Sequence, residues 1–266
     1  MYEFKYHRPG SLAEALQMLA DDTDALAVAG GMTLIPSMKH RLAAPSQLLD
    51  IGGLSELAGI GADDAALSIG AGTTHAAVAS APLVADKLPA LAALARSIGD
   101  PQVRARGTLG GSLANNDPAA DYPAAVLGLR ATVCTNTREI AADDFFQGMF
   151  TTALEPGELI LKVRFALPVQ SAYAKFHHPA SGYAMTGAFV ARFDDEVRVA
   201  ITGAGPGVFR WAEAEAALAG NFNAAALDGL SYPEAGLNAD LHAPARYRAN
   251  LVAVMTRRAV QACEAN

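Results

Sequence analysis

An α+β chain built from two successive units is what the sequence predicts, with residues 1–168 as the first and 171–266 as the second. Three observations carry that expectation. Residues 1–53 alternate helix-patterned and short apolar stretches, as a small lobe with at least one βαβ unit does. From about residue 171, three strand-like runs precede two helical ones, an order that stacks helices on a finished sheet. The chain has 266 residues, 52% of them hydrophobic, which suffices for more than one packed core.

The elements follow in order. Ser11 with Glu14 three positions later forms a capping box, and Leu12, Leu16 and Leu19 share one helical face. Residues 24–31 read as a buried strand ending in glycines. A second helix then carries Leu34, Met38 and Leu42, with Pro36 in its first turn, where a missing N–H costs nothing. Residues 47–51 form another buried strand and close the first lobe near residue 53. In the second lobe, 54–168, a strand, a loop and a helix start span "AALSIGAGTTHAAV", and Thr74 is the natural cap. Residues 88–99 place Leu88, Leu91, Ala95 and Ile98 on one stripe that stops at Gly99. A glycine-rich stretch, 107–118, reads as a long loop. A helix running into a β-hairpin follows, and then a strand over 159–168 ended by Pro168. The third block offers strands at "AYAKFHH", "YAMTGAFVARF" and "EVRVAITGAG", with Asp194-Asp195 as a turn, and helices at "RWAEAEAALAG" and "RYRANLVAVMTRRAVQA".

Composition narrows the function. Twenty Lys and Arg against 27 Asp and Glu leave a net charge of −7, the wrong sign for a nucleic-acid surface. Arg104 with Arg106, and Arg257 with Arg258, are short local pairs that read as solvated faces. No apolar run approaches the roughly 18–20 residues of a membrane span, and the first residues contain no signal-peptide core. A cytoplasmic location is therefore expected. The cysteines, Cys134 and Cys263, lie far apart and read as reduced thiols, too few for an iron–sulfur or zinc site of this chain's own. No resident metal is expected.

Two glycine clusters could carry chemistry. Ala29-Gly30-Gly31-Met32-Thr33 lies where a strand turns into a helix, so free N–H groups there could face an anion. A plain αβ turn explains the same residues, and the G-x-G-x-x-G spacing of a Rossmann site is absent. The second cluster runs from Gly107 through Thr108, Gly110-Gly111 and Asn115-Asn116 to Asp121. It reads either as a ligand-cradling loop or as an Ω-loop with Asp117 and Asp121 as helix caps. Two such clusters nearly eighty residues apart suit one long ligand with a pyrophosphate in its middle. Lys175 is informative only if its strand points it into a cleft, since a solvated lysine is the default. His177 and His178 face opposite ways on a strand and make a poor metal pair. No Ser/His/Asp triad, H-E-x-x-H helix or P-loop is present.

Taken together, "AGGMTLIPSMKHRLAAPSQLLDIGGL", "IGAGTTHAAV", "IGDPQVRARGTLGGSLANNDPAADYPAAVLGLRATV", "FFQGMFTTAL" and "AYAKFHHPASGYAMTGAFVA" resemble, in order and over nearly the whole chain, the FAD-binding (medium) subunits of molybdenum hydroxylases. Aerobic carbon monoxide dehydrogenase and xanthine dehydrogenase belong to that group, and the carbon monoxide dehydrogenase members are the most alike. The resemblance implies a two-lobed FAD-binding domain of the PCMH/vanillyl-alcohol-oxidase-like type, followed from about 171 by a carbon monoxide dehydrogenase flavoprotein C-terminal-like domain. It implies that the amides of Ala29, Gly30, Gly31, Met32, Thr33 and Leu34 hold the FAD pyrophosphate. Thr108, Leu109, Gly110, Gly111 and Ser112 would form a second cradle. Ile98 would supply an apolar contact, and Asp121, Leu161 and Lys175 further contacts, with Tyr183 beside the isoalloxazine. A positive Lys175 would favour reduced, anionic flavin while Asp121 orients the cofactor. Met32 stands where the family usually has a polar residue, and Ser112 where some members have Asn.

The same resemblance implies an oxidoreductase subunit that takes electrons from a [2Fe–2S] small subunit and passes them to an external acceptor. Substrate would be oxidised on a molybdopterin large subunit, in a dimer of heterotrimers whose attachment at the inner membrane face stays open. A scaffold that has lost FAD and a free-standing flavin oxidoreductase are the alternatives. Carbon monoxide, aldehydes and N-heterocycles stay open as substrates, and quinone, cytochrome, NAD and oxygen as acceptors.

Overall fold

A computed structural model describes residues 1–265 and shows an α+β chain organised around three main sheets, with a small two-stranded one at Phe146–Gly148 and Thr151–Thr152. The first is parallel, with Gln47–Asp50 between Lys5–His7 and Leu26–Val28. Ser11 caps the helix Leu12–Asp21 by accepting from Glu14 N at 3.2 Å, while the Glu14 carboxylate reaches back to Gly10 N at 2.7 Å. The reciprocal bond thus lands one residue earlier than a capping box would place it.

Two expectations in this lobe need correction. The strand read over 24–31 forms only at Leu26–Val28, and as an edge strand it leaves Leu26 exposed. The helix read as reaching Leu42 is Leu34–Lys39, and Leu42 is 82% exposed. Arg41 takes a left-handed φ of 62°, Arg41 N donates to Met38 O and Leu42 N to Ser37 O. That is a Schellman stop with arginine in the position glycine usually fills, so no glycine announced it.

The second sheet is antiparallel: Ile60–Ala62, Ala66–Gly70, Ile160–Ala166, Thr132–Thr135, Glu139–Ala141. Its strands Ala66–Gly70, Ile160–Ala166 and Thr132–Thr135 share the largest core with the helices His75–Ser80, Pro89–Arg96, Leu109–Asn115 and Tyr122–Gly128. Thr74 caps as expected, accepting from Ala77 N. The helix read over 88–99 is Pro89–Arg96, leaving Ile98 just beyond its end, half-buried. The stretch read as a long loop, 107–118, contains the helix Leu109–Asn115. Thr108 caps it and Asn116 ends it in a left-handed turn, φ 45°. Glycine pairs suggest loops by propensity, and here a cap and a packed neighbour outweigh that tendency.

The third sheet, Gln170–His177, Ala184–Arg192, Val197–Thr202 and Phe209–Arg210, is antiparallel throughout. Its central strand is buried on both faces. Phe189 and Ala191 point into the second lobe's core, while Ala188 and Val190 meet the helices Ala212–Gly220 and Ala245–Glu264. Arg248 in the long helix donates to Met185 O and Gly203 O at 2.8 and 2.9 Å and pairs with Asp240 at 2.6 Å. Arg248→Met strands the buried Gly203 carbonyl and leaves Met185 O only the Thr186 hydroxyl, and is expected to cost about 1–3 kcal/mol in urea unfolding. No helix among the described residues is long and apolar enough to cross a membrane.

Candidate cofactor-binding site

Three glycine-bearing turns that are distant in sequence meet in space. A β-carbon on Gly30 would fall on the Arg106 carbonyl oxygen, and would lie 2.7 Å from its carbon and 2.8 Å from Gly107 Cα. One on Gly107 would lie 2.6 Å from His75 Nε2, and His75 N donates to Gly107 O at 2.9 Å. One on Gly110 would lie 2.5 Å from Ala71 Cβ. The missing side chains thus let 29–33, 71–75 and 106–112 pack backbone against backbone. The line of contacts continues: the His75 ring sits 5.3 Å from Tyr122, whose neighbour Asp121 meets Lys175. This chain of packed contacts runs from the first lobe to the third sheet.

The two glycine pairs differ in what they offer. Among the described residues, the amides of Gly30, Gly31, Met32 and Thr33 find no acceptor, and Gly31 has a left-handed φ of 72°. Four successive free donors in a turn fit a diphosphate. Around Gly110 the donors are already used. Leu109 N donates to Thr73 O, Gly110 N to Ala71 O and Gly111 N to Thr108 Oγ1. Those bonds engage the amides of Leu109, Gly110 and Gly111 within the fold. Gly110 serves close packing, and what this helix presents outward is a small surface, with Gly111 and Ala114 exposed and Ser112 and Asn115 half-buried.

Asp121 and Lys175 form a pair with side chains 4% and 2% exposed, 2.9 Å apart. Lys175 Nζ also donates to Ser97 O at 3.0 Å, and the Tyr173 hydroxyl donates to Asp121 Oδ1 at 2.6 Å. Burial pushes the Asp121 carboxyl above its usual range, against the pull of Lys175 and Tyr173. Two expectations change accordingly. Asp121 stands at the start of the helix Tyr122–Gly128 but makes no side-chain cap, and the positive charge of Lys175 is balanced rather than free. Burial, and to a lesser degree Arg104, lowers His75 to about 4, so it is neutral near pH 7.

The remaining expected contacts are spread along the same line. Ile98 O accepts from Arg104, which ties it to the helix Pro101–Arg106 that ends against Gly30. Leu161 O accepts from Ala71 N, and Ala71 is the residue that Gly110 packs on. Ala29 and Leu34 flank the free amides, and Met32 is exposed. Tyr183, 47% exposed, lines a cleft of about 360 Å³ with Met149, Phe150 and Met185, and no residue of the glycine turns lines that cleft. Sequence reasoning missed Tyr173 and Ser97. The spacing of Tyr173 and Lys175, two apart on one strand, could have signalled that both face the same way.

Comparisons with known proteins match nearly the whole chain. The family described as FAD binding domain in molybdopterin dehydrogenase matches residues 2–168. The medium chain of carbon monoxide dehydrogenase from Afipia carboxidovorans is 37% identical over 98% of this chain and 97% of its own. The nicotine 6-hydroxylase medium subunit of Paenarthrobacter nicotinovorans is 34% identical over 96% and 95%. A reconstituted CO dehydrogenase from Oligotropha carboxidovorans superposes with a TM-score of 0.90 at 34% identity, covering 99% of this chain and 98% of its counterpart.

Proposed function

The chain belongs to the family of FAD-binding domains in molybdopterin dehydrogenases, and from that premise we propose that it is the electron-transferring flavoprotein subunit of a molybdenum hydroxylase complex. It takes electrons from a partner's [2Fe–2S] cluster and passes them to an external acceptor, while a molybdopterin subunit oxidises the substrate. The complex is a dimer of such heterotrimers. The observation that carries the reading is the run of four free amides, Gly30 to Thr33, wedged against Arg106 and Gly107.

The flavin, when bound, supplies two-electron redox chemistry with one-electron steps. The chain's own residues do the rest. The Gly30–Thr33 amides hold the diphosphate, and the absent side chains of Gly30 and Gly110 keep the three turns close enough to share one ligand. Gly111 and Ser112 give the ribityl chain a small surface, and Ile98 and Leu161 give the ring apolar contacts, while Tyr183 would reach it only from the neighbouring cleft. Asp121 and Lys175 present a neutral ion pair, so they orient the cofactor without adding net charge. Cys134 and Cys263 sit on a strand of the second sheet and in the last helix, which supports placing the iron–sulfur centres on a partner. The relatives named for carbon monoxide and for nicotine stand at 37% and 34% identity, so likeness to this chain does not sort by substrate. The substrate is chosen elsewhere in the complex.

The test is spectroscopic. The purified chain is expected to carry flavin absorbance at one FAD per chain. Its flavin should be reduced by the reduced iron–sulfur subunit and reoxidised by a quinone or dye in stopped flow. A folded, colourless chain that takes up no added FAD would indicate a scaffold. Substrate turnover by the chain alone would indicate a free-standing oxidoreductase.

A further inference from the structure

Tyr173 and Lys175 are two apart on the strand Gln170–His177, so both face the second lobe. Across the sheet they register with Phe189 and Gly187. The Tyr173 ring stacks on Phe189, with centroids 6.2 Å apart. Its far end then passes over Gly187, where a β-carbon would lie 2.9 Å from Tyr173 Cζ and closer still to the hydroxyl oxygen. The phenol ends on Asp121 Oδ1 at 2.6 Å, the oxygen that Lys175 Nζ approaches to 2.9 Å.

We propose that Tyr173 is the positioning residue of the cofactor site, fixing the direction in which the Asp121 carboxylate points, and that Gly187 is glycine to let the phenol reach it. The inference rests on the FAD site proposed above. The helix that follows offers this carboxylate no cap, because Pro123 has no N–H and Ala124 N already donates to Asp121 O, and a single counter-charge does not fix one orientation. A desolvated carboxylate needs further hydrogen bonds besides its ion pair, and the tyrosine hydroxyl supplies one in a fixed direction. Burial and Asp121 hold the phenol proton well above its usual range, which keeps Tyr173 a donor. Tyr173, Lys175 and Gly187 all lie beyond residue 168, whereas Asp121 and Ser97 lie before it. The third sheet therefore completes a site whose glycine turns belong to the first two.

The experiment measures FAD dissociation and the visible flavin spectrum of the full chain in wild type, Tyr173→Phe, Asp121→Asn, the double variant and Gly187→Ala. Tyr173→Phe is expected to weaken FAD binding roughly tenfold, the worth of one hydrogen bond to a charged group, and to shift the flavin band of the FAD still bound. Its denaturation midpoint should fall as well, since the bond is made without the cofactor, and the double variant separates that loss from the effect on FAD. In the Asp121→Asn background the same change should add less than about twofold, because a residue acting through Asp121 has nothing left to position. Gly187→Ala should reproduce Tyr173→Phe; if it does not fold, Tyr173→Phe decides alone. Unchanged affinity and spectrum in Tyr173→Phe, or an equal loss in both backgrounds, overturns the inference while a wild-type chain that binds FAD leaves the site standing. A wild-type chain that takes up no FAD overturns the site and the inference together.

Discussion

Gly30→Ala is expected to lower FAD affinity by at least about a hundredfold while the chain still folds, because the added methyl has only backbone to displace. The β-carbon would fall on the Arg106 carbonyl oxygen, with Gly107 Cα 2.8 Å away. No flexible side chain can swing aside, so the turn 29–33 or the end of the helix Pro101–Arg106 must move. Overpacking of this kind costs about 1–3 kcal/mol in stability, which a core of this size tolerates. The four free amides do not tolerate it, since a donor set aligned on one anion loses most of its worth when the turn shifts. Neighbouring glycines calibrate the result. Gly31 has φ 72°, and a β-carbon there would lie 3.0 Å from the flexible Ile35 Cγ1. Gly31→Val therefore adds roughly 1–2 kcal/mol of backbone strain on top of its effect on FAD. At Gly111 the nearest atom is Thr108 Oγ1 at 2.9 Å, on an outward-facing helix position, so Gly111→Ala should be the mildest of the three. Bound FAD per chain and the melting temperature of each variant check the order. Gly30→Ala retaining full FAD would show that the turn is structural only.

The elements with strong periodicity were legible from the residues alone. The Leu12, Leu16 and Leu19 stripe, the Thr74 cap and the three strands of the last sheet all form where their patterns put them. What failed was local chemistry that borrows an unusual residue. Arg41 ends a helix in a conformation that usually falls to glycine, and Gly110-Gly111 begin a helix although glycine pairs favour loops. The candidate site was legible only by joining distant segments. Nothing in 24–34 alone separates a plain turn from an anion cradle, and the deciding contact, Gly30 on Arg106, spans 76 positions. Family resemblance supplied that joining, but it treated the two glycine pairs alike. The bonds of Gly110 N to Ala71 O and of Gly111 N to Thr108 Oγ1 separate them. Likewise Lys175 read as a free cation because its counter-charge lies 54 residues away.

A large effect on stability is expected far from the cofactor, at Glu158. Its side chain is 2% exposed and its two oxygens meet five donors. Oε1 accepts from Thr135, Thr137 and Arg138 Nε at 2.7, 2.7 and 3.0 Å, and Oε2 from Arg138 Nη2 and Glu155 N at 3.0 and 2.8 Å. Burial by itself would raise this carboxyl. Arg138, the two hydroxyls and the amide outweigh it and hold the group down to about 2, against an ordinary 4.5. A lowered carboxyl stabilises the folded state fully above pH 4.5, and that contribution is lost as pH falls toward 2. Glu158→Ala removes the acceptor that Arg138, Thr135 and Thr137 share, leaving Arg138 with Ala153 O and Glu155 and Thr135 with Arg138 O, at a cost of about 1–3 kcal/mol near pH 7. Part of the loss is softened because Arg138 is itself 42% exposed and can turn to water. Urea unfolding at pH 7 and again near pH 3 separates the two effects. Wild type should lose more of its margin between those pH values than Glu158→Ala does, because the variant has no such carboxylate to protonate. The affinity of folded Glu158→Ala for FAD should match wild type, since the network grips the turn 135–138 and the segment 153–158 rather than the glycine turns. Equal acid sensitivity in the two proteins would place the stabilising charge elsewhere.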